Sequence, residues 1–355
     1  PFWLKSGPGR PVIFRGAWQA MPVGAWALLL AGAAGLLCVG AAPDPDGSCQ
    51  ASGGCPAASQ AEETCNVSYS ASLHALPVAE RLRTLLPVYW VHVPKTSSAH
   101  MNYFMKLPGV CSNMAENEWL CGWNNADCKD THLSAPMESL CPGVRWYAWH
   151  KGIQAYYESG FKGHGVIMLR QPEQRLMSAW FNPGERHGFP PWKRQPESLL
   201  QYADAVAGCT VKLLTRSTGP GQYDHNPTTN EEVARAKRRL REGFAFVGIL
   251  EKYVLSICLA HAMFGGDCRA EEFVRGHIGL KNTAGGYDIS PLQGFRDKAD
   301  AVLYEEGTCI FEENLRVYGI SEASCKPCFE AAAVAEQNTP MLRSFMTSHR
   351  FLADM

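Results

Sequence analysis

The sequence predicts an α/β fold with a central parallel sheet, and three observations support this. Three short apolar runs, residues 87–93, Gly165–Leu169 and Phe244–Ile249, have the composition of buried strands. Each run is followed by a polar turn and a helical segment, an order typical of parallel α/β proteins. The chain has 355 residues, of which 46% are hydrophobic and 19% charged, so it can bury a large core and is not a disordered polymer.

The helices that follow the strands are predicted from local signals. Residues 97–106 form a predicted helix that Ser97 or Ser98 caps, and Pro172 suits the first turn of the helix after the second strand. A third helix is expected over residues 251–264. Polar residues therefore stand at the carboxyl end of each strand, where parallel sheets bind ligands.

The charge balance argues against a protein that binds nucleic acid through its overall field. The chain has 33 Lys and Arg against 34 Asp and Glu, a net charge of −1, whereas such proteins are basic. Basic residues cluster in the charged helix predicted over residues 230–243. The basic face of this helix is either a solvated surface or a contact for an acidic substrate.

The amino-terminal segment predicts entry into the secretory pathway. Residues 25–42 are 18 apolar or small residues, and residues 1–24 carry three basic and no acidic side chains. This pattern predicts a transmembrane anchor with the remainder of the chain in the lumen. The alternative starts translation at Met21 and makes the segment a cleaved signal peptide. Residues 1–24 are predicted to be a cytoplasmic tail or a non-native leader.

The remaining boundaries follow from composition. Residues 43–72 are rich in Pro, Gly, Ser and Ala and form a stem or linker. A globular domain is predicted over residues 73–330, followed by a C-terminal tail over residues 331–355.

The 14 cysteines favour an oxidising compartment. The segment 107–143 contains four of them at wide, uneven spacings and is predicted to be a disulfide-stapled, Cys-rich insertion rather than a zinc site. Cys325 and Cys328 have C-x-x-C spacing without a second pair, so we expect structural disulfide chemistry and no metal. Thirteen cysteines follow Cys38, so at least one is free or pairs between chains.

Two strand-end turns carry candidate anion-binding side chains. Lys95 lies in the turn after the first strand, where backbone N–H groups and a helix amino terminus favour an anion. Arg170 ends the second strand and offers a planar guanidinium, and Ser178 follows eight residues later in the next helix. In a parallel sheet we expect both turns to face one crevice. The Walker pattern of ordinary NTPases is absent from the sequence.

These motifs resemble those of sulfotransferases that use 3′-phosphoadenosine-5′-phosphosulfate (PAPS), closest in pattern to the Golgi membrane-bound carbohydrate sulfotransferases of the heparan sulfate 2-O type. The resemblance implies a P-loop-NTPase-like three-layer fold, with helices on both sides of a central parallel sheet. The matching segments are VHVPKTSS (residues 91–98), RQPEQRLMSAW (170–180), FAFVGILE (244–251), GLKNT (279–283) and DAVLY (300–304).

The resemblance also assigns roles to individual residues. Lys95 would neutralise charge on the leaving phosphate oxygen as the sulfuryl group departs, and Arg170 with Ser178 would hold the 3′-phosphate. The 5′-phosphosulfate loop that cradles the 5′-phosphate would be Pro94, Lys95, Thr96, Ser97 and Ser98. No metal is required.

The acceptor hydroxyl needs a general base, and His150 is the first choice because the family often carries a His near this place. His100, His164 and His187 are less well placed. Glu251 is expected to be structural and to hold the phosphate-binding loops.

Two departures from the family pattern stand in these loops. Ser97 and Ser98 occupy positions where the family often has Gly, so the loop is expected to sit slightly differently around the phosphate. Gln171 replaces the usual Asp of Arg-Asp-Pro, which is expected to affect local packing more than the ligand.

The sequence therefore predicts a PAPS-dependent sulfotransferase that acts on a hydroxyl of a carbohydrate acceptor. The resemblance implies a single-pass type II Golgi membrane protein with a luminal catalytic domain, the alternative being a secreted protein. Two rival functions stay open: a nucleotide-dependent phosphoryl transferase, and a catalytically inactive secreted binding protein on the same scaffold.

Overall fold

The sheet consists of four parallel strands in the order β2-β1-β3-β4. The computed structural model describes residues 67–116, 118, 137–147, 152–181, 195–217, 224–273 and 286–337. The strands are β1 (Val88–Val91), β2 (Val144–Tyr147), β3 (Gly165–Leu169) and β4 (Phe244–Ile249). The predicted parallel α/β class is confirmed.

Helices of very different length flank this sheet. Helices α8, α9 and α11 pack against β4 or against one another, and the shorter helices surround them. The helices are α1 (Tyr69–Ser72), α2 (Val78–Leu85), α3 (Met101–Met105), α4 (Met137–Leu140), α5 (Pro172–Trp180), α6 (Leu199–Val206), α7 (Cys209–Thr215), α8 (Asn230–Gly243), α9 (Tyr253–Phe264), α10 (Ala270–Phe273), α11 (Lys298–Tyr318) and α12 (Glu322–Gln337).

The strands form the centre of the hydrophobic core. Every residue of β3 and of the terminal strand β4 is buried, as expected for parallel strands covered by helices on both faces. Helix α11 approaches this layer closely at Gly307, where an added Cβ would lie 2.2 Å from Cδ1 of Leu169. A smaller core cluster joins α5 to α6 and includes Leu176, Tyr202 and Tyr287.

Two predicted helices begin later than expected. The helix predicted over residues 97–106 occupies only Met101–Met105, and its N-cap is His100 without a side-chain capping bond. The preceding residues form turns because Lys95 and Ser97 have left-handed φ angles of 65° and 67°. Ser97 accepts the N–H of Ala99 at 3.2 Å but does not cap the helix. The helix after β4 starts at Tyr253, behind a 3-10 turn formed by Leu250–Lys252.

Strand β2 is missing from the sequence-based prediction. Its four residues follow a turn at Gly143, where an added Cβ would lie 2.2 Å from the carbonyl oxygen of Gly109. A strand this short leaves little periodic signal, and it is defined by pairing with β1.

The disulfides link segments that are distant in sequence. Cys111 pairs with Cys141 across the segment predicted to be an insertion. The C-x-x-C cysteines do not pair with each other. Cys325 bonds Cys258 in α9, and Cys328 bonds Cys268 in the segment after α9, so two disulfides hold α12 against this part of the chain. Among the described cysteines Cys209 is a buried free thiol.

The described residues all lie within one compact unit, residues 61–355. Within these residues no helix is both long and apolar enough to cross a bilayer. The anchor or signal peptide predicted over residues 25–42 lies outside the described residues, as does most of the stem.

The predicted basic face of α8 is largely engaged within the protein. Arg239 is buried, donates to the carbonyl of Leu214 at 2.7 Å and lies over the ring of Tyr157. Lys237 lies 3.2 Å from the carboxylate of Glu306. Internal partners therefore account for a large part of the positive charge that the sequence placed on this helix.

Candidate functional site

The structure brings together the two turns that the sequence marked as anion-binding. Lys95 follows β1 and Arg170 follows β3, and these strands are adjacent and parallel. Nη1 of Arg170 donates a hydrogen bond to the carbonyl oxygen of Lys95 at 3.1 Å. Two cationic residues therefore meet at one carboxyl edge, the place where parallel sheets bind ligands.

The turn around Lys95 has an unusual backbone for a segment without glycine. Lys95 and Ser97 adopt left-handed φ angles, a conformation that costs non-glycine residues free energy. Side chains hold the turn in place: Oγ1 of Thr96 donates to the carbonyl of Val93 at 2.8 Å, and Nδ1 of His100 lies 2.8 Å from the carbonyl oxygen of Ser97. Turns of this kind can direct consecutive N–H groups to one side and form a concavity suited to anions.

The electrostatics of Lys95 reflect its surroundings. Partial burial and the nearby Arg170 cation together lower the pKa of the Lys95 amine to about 8. The ammonium form thus loses stability from desolvation first and from like charge second. An anion bound beside both cations would reverse this effect, so the site fits a phosphate or sulfate group.

The start of α5 is fixed by contacts from two other elements. Gln171 is its N-cap, and its side chain accepts the N–H of Gln174 at 2.7 Å, so a glutamine here caps the helix as Asp or Asn often does. The backbone N–H of Gln171 donates to Glu251 at 3.1 Å, and the hydroxyl of Tyr304 donates to the same carboxylate at 3.1 Å. Glu251 therefore links the start of α5 to α11.

Behind the site lies a buried ionic cluster that the sequence did not reveal. Arg175 lies 3.5 Å from Asp300 and 3.9 Å from Asp297, and all three residues are buried. Asp300 also accepts the N–H and the hydroxyl of Thr210 at 3.0 and 2.8 Å, and Asp297 accepts the N–H of Gly208 at 3.0 Å. The cluster joins α5, α7 and α11. Its sequence signal is weak, because Arg175 shares α5 with a second charged residue, Glu173.

The other predicted binding residues occupy different environments. Pro94 and Thr96 are buried, whereas Ser97 and Ser98 are half-buried. Ser178 lies in the second half of α5 and is 5% exposed. Its side chain is therefore buried along the helix, away from the turn that holds Arg170.

The histidines considered as the general base lie in different parts of the chain. His150, the predicted base, and His187 lie outside the described residues. His100 is buried, and burial lowers its pKa to about 4. Nδ1 of His164 lies 3.1 Å from the carbonyl oxygen of Leu85, on the side of the sheet where β3 begins. Neither His100 nor His164 is placed to deprotonate an acceptor at the carboxyl edge.

One group of side chains that could bind a metal is engaged in a disulfide and in hydrogen bonds. The potential ligand atoms of His261, Cys268 and Cys328 lie within 4.8 Å of one another. The two sulfurs form a disulfide, and Nε2 of His261 lies 2.7 Å from Glu272 while Nδ1 lies 3.1 Å from the carbonyl oxygen of Gly266. The disulfide and the hydrogen bonds therefore explain this cluster without a metal.

The described site is thus a candidate anion-binding edge built from Lys95, Arg170 and the backbone of the β1 turn. Comparison of the chain with protein family models, with curated proteins and with solved structures finds no match.

Proposed function

We propose that the protein is a PAPS-dependent sulfotransferase with a P-loop-NTPase-like fold that sulfates a hydroxyl of a carbohydrate acceptor. The observation that carries the proposal is the hydrogen bond from Arg170 to the carbonyl oxygen of Lys95, since it brings into contact two cationic residues that follow adjacent parallel strands. A donor with phosphate at both its 5′ and 3′ positions needs two such groups close together.

Transfer would proceed by in-line displacement. The acceptor oxygen forms a bond to sulfur while the bond from sulfur to the 5′-phosphate oxygen breaks, and the ammonium of Lys95 stabilises the charge that develops on that oxygen. The proton of the acceptor hydroxyl passes to a general base, for which His150 stays our candidate. The products are a sulfate ester and 3′-phosphoadenosine 5′-phosphate. No step requires a metal.

Arg170 with Ser178 would bind the 3′-phosphate, and the N–H groups of Thr96, Ser97 and Ser98 would bind the 5′-phosphate. The guanidinium of Arg170 supports this division, because a planar fork suits bidentate contact with phosphate.

The disulfides support action in the secretory lumen. The bonds Cys111–Cys141, Cys258–Cys325 and Cys268–Cys328 are of the kind that persists in oxidising compartments. Together with the anchor predicted over residues 25–42, they favour a type II Golgi membrane protein with a luminal catalytic domain, the alternative being a secreted protein.

A thermal-shift titration of the full chain tests the cofactor. Binding to the folded state stabilises it by about 2.7 kcal/mol at a ligand concentration 100 times Kd, so the melting temperature rises. We expect a rise with 3′-phosphoadenosine 5′-phosphate and a much smaller one with 5′-AMP. A rise with ATP–Mg²⁺ alone would favour the phosphoryl transferase, and no rise on folded protein would favour the inactive binding protein.

Substitution of Lys95 then tests catalysis. Lys95→Ala should abolish sulfuryl transfer from labelled PAPS to a mixture of glycan acceptors while the protein stays folded. Lys162→Ala is the matched control, because Lys162 pairs with Glu242 on the surface before β3 begins. Near-normal sulfuryl transfer by Lys95→Ala would refute the proposed mechanism.

A further inference from the structure

Tyr287 contacts Arg170 from a segment that the sequence analysis did not assign to the site. Its ring lies 5.5 Å from Cζ of Arg170, within the range of a cation–π contact. The main chain of Tyr287 is fixed by the side-chain amide of Gln174. Nε2 of Gln174 donates to the carbonyl of Tyr287 at 2.9 Å, and the N–H of Tyr287 donates to Oε1 of Gln174 at 2.7 Å.

The position of this ring is well defined. Tyr287 is 4% exposed and stacks on Phe181, with ring centroids 6.0 Å apart and planes inclined by 16°. The preceding Gly286 has a φ angle of 92°, and a Cβ there would lie 2.7 Å from Oε1 of Gln174. The close approach of the chain to Gln174 thus depends on glycine, which brings the ring against Arg170.

The ring, rather than the hydroxyl, makes the contact that matters. Within the described residues the buried hydroxyl of Tyr287 has no hydrogen-bond partner. Removing the hydroxyl therefore leaves every described contact of Tyr287 in place. Phenylalanine is then a conservative replacement that keeps the face of the ring, and an aliphatic residue is not.

We propose that Tyr287 is a positioning residue that selects a 3′-phosphorylated ligand by holding the guanidinium of Arg170 in one plane. A bidentate contact to phosphate requires the planar fork to be oriented, and an aromatic face on one side restricts its rotation. The hydrogen bond from Arg170 to Lys95 fixes the guanidinium at a second point. This inference rests on the proposed function and names the residue that gives its site selectivity for the cofactor.

The test compares two variants by calorimetric titration of the full chain. The readout is the Kd for 5′-AMP divided by that for 3′-phosphoadenosine 5′-phosphate, which isolates the contribution of the 3′-phosphate. Tyr287→Leu should lower this ratio about three- to thirtyfold, the range of a cation–π contact, with little change in 5′-AMP affinity. Tyr287→Phe should keep the ratio within about twofold of that of the parent protein, since it retains the ring.

The controls distinguish this inference from the proposed function. A parent protein that binds no 3′-phosphoadenosine 5′-phosphate would refute the proposed function itself. If the parent protein binds and Tyr287→Leu keeps the parent ratio, Tyr287 has no selective role. The same conclusion follows if Tyr287→Leu and Tyr287→Phe each weaken the binding of both ligands by the same factor. Should Tyr287→Leu fail to fold, Gln174→Ala replaces it. That variant releases the Tyr287 main chain and should lower the ratio, and an unchanged ratio would overturn the inference.

Discussion

Glu251 accepts a hydrogen bond from the backbone N–H of Gln171 at 3.1 Å and so links the residue after Arg170 to the turn that follows β4. The other oxygen of the same carboxylate accepts the hydroxyl of Tyr304 from α11. The start of α5, and with it Arg170, is therefore fixed by two elements that do not belong to the proposed phosphate site.

Glu251→Ala should weaken the binding of 3′-phosphoadenosine 5′-phosphate about three- to tenfold. One hydrogen bond to an exposed carboxylate contributes about 1 kcal/mol, and its loss releases the turn that carries Arg170. Calorimetric titration measures this. Tyr304→Phe is the matched control, because it leaves the contact between Gln171 and Glu251 in place and should change affinity less. Wild-type affinity in Glu251→Ala would show that the link has no influence on the site.

The strands and helices that the sequence predicted well are those with strong local signals. Gly165–Leu169 and Phe244–Ile249 are continuous apolar runs, and α8 begins with a capping box between Thr229 and Glu232. The helix after β1 was placed four residues too early, because propensity cannot show that Lys95 and Ser97 adopt left-handed angles.

The part of the site that the sequence could not show consists of long-range contacts. Lys95 and Arg170 could be placed at one sheet edge because both end parallel strands. Tyr287 gives no comparable signal, since no apolar run that predicts a strand precedes it in the sequence and it reaches Arg170 across 117 positions of the chain. The pairing of Cys325 and Cys328 with two other cysteines likewise depends on how α12 packs on α9.

Ligand binding should depend on pH through Lys95. Its pKa is lowered to about 8 in the ligand-free protein, and an anion would raise it again. Between pH 8 and 9 binding should therefore take up a proton, and affinity should fall about tenfold from pH 7 to pH 9 as the amine becomes neutral. Calorimetry in buffers of different ionisation enthalpy measures the proton uptake. Lys95→Arg should remove it, because arginine stays charged.

The cluster around Arg175 should be essential for stability. Arg175→Met would leave Asp297 and Asp300 buried without their cation, and breaking a buried ion pair costs about 3–5 kcal/mol. Urea unfolding measures the change. Arg83→Met is the matched control: the Arg83 side chain is 72% exposed and pairs with Glu80, so its loss should cost less than about 1 kcal/mol. Equal effects in both variants would contradict the assignment.

The disulfide pairing predicts an ordered set of stabilities. Cys325→Ser and Cys328→Ser each remove one of two bonds that hold α12, so the loop of about 60 residues stays closed in either variant. The double variant opens that loop and should lose about 4 kcal/mol more than the milder single variant. Unfolding without reductant measures these changes. If Cys325 bonded Cys328 instead, both single variants and the double variant would be equally stable.

His100 should act on the site through the β1 turn. Burial lowers its pKa to about 4, so the ring is neutral at physiological pH, and the contact with the Ser97 carbonyl requires the hydrogen on Nδ1. His100→Asn keeps a donor near that atom and should retain ligand affinity within about threefold, whereas His100→Leu removes the donor and should weaken binding about tenfold or more. Calorimetric titration with 3′-phosphoadenosine 5′-phosphate at pH 7 distinguishes them. Equal losses in the two variants would assign His100 to packing alone, because Asn and Leu are similar in size and Asn alone carries the amide that can donate.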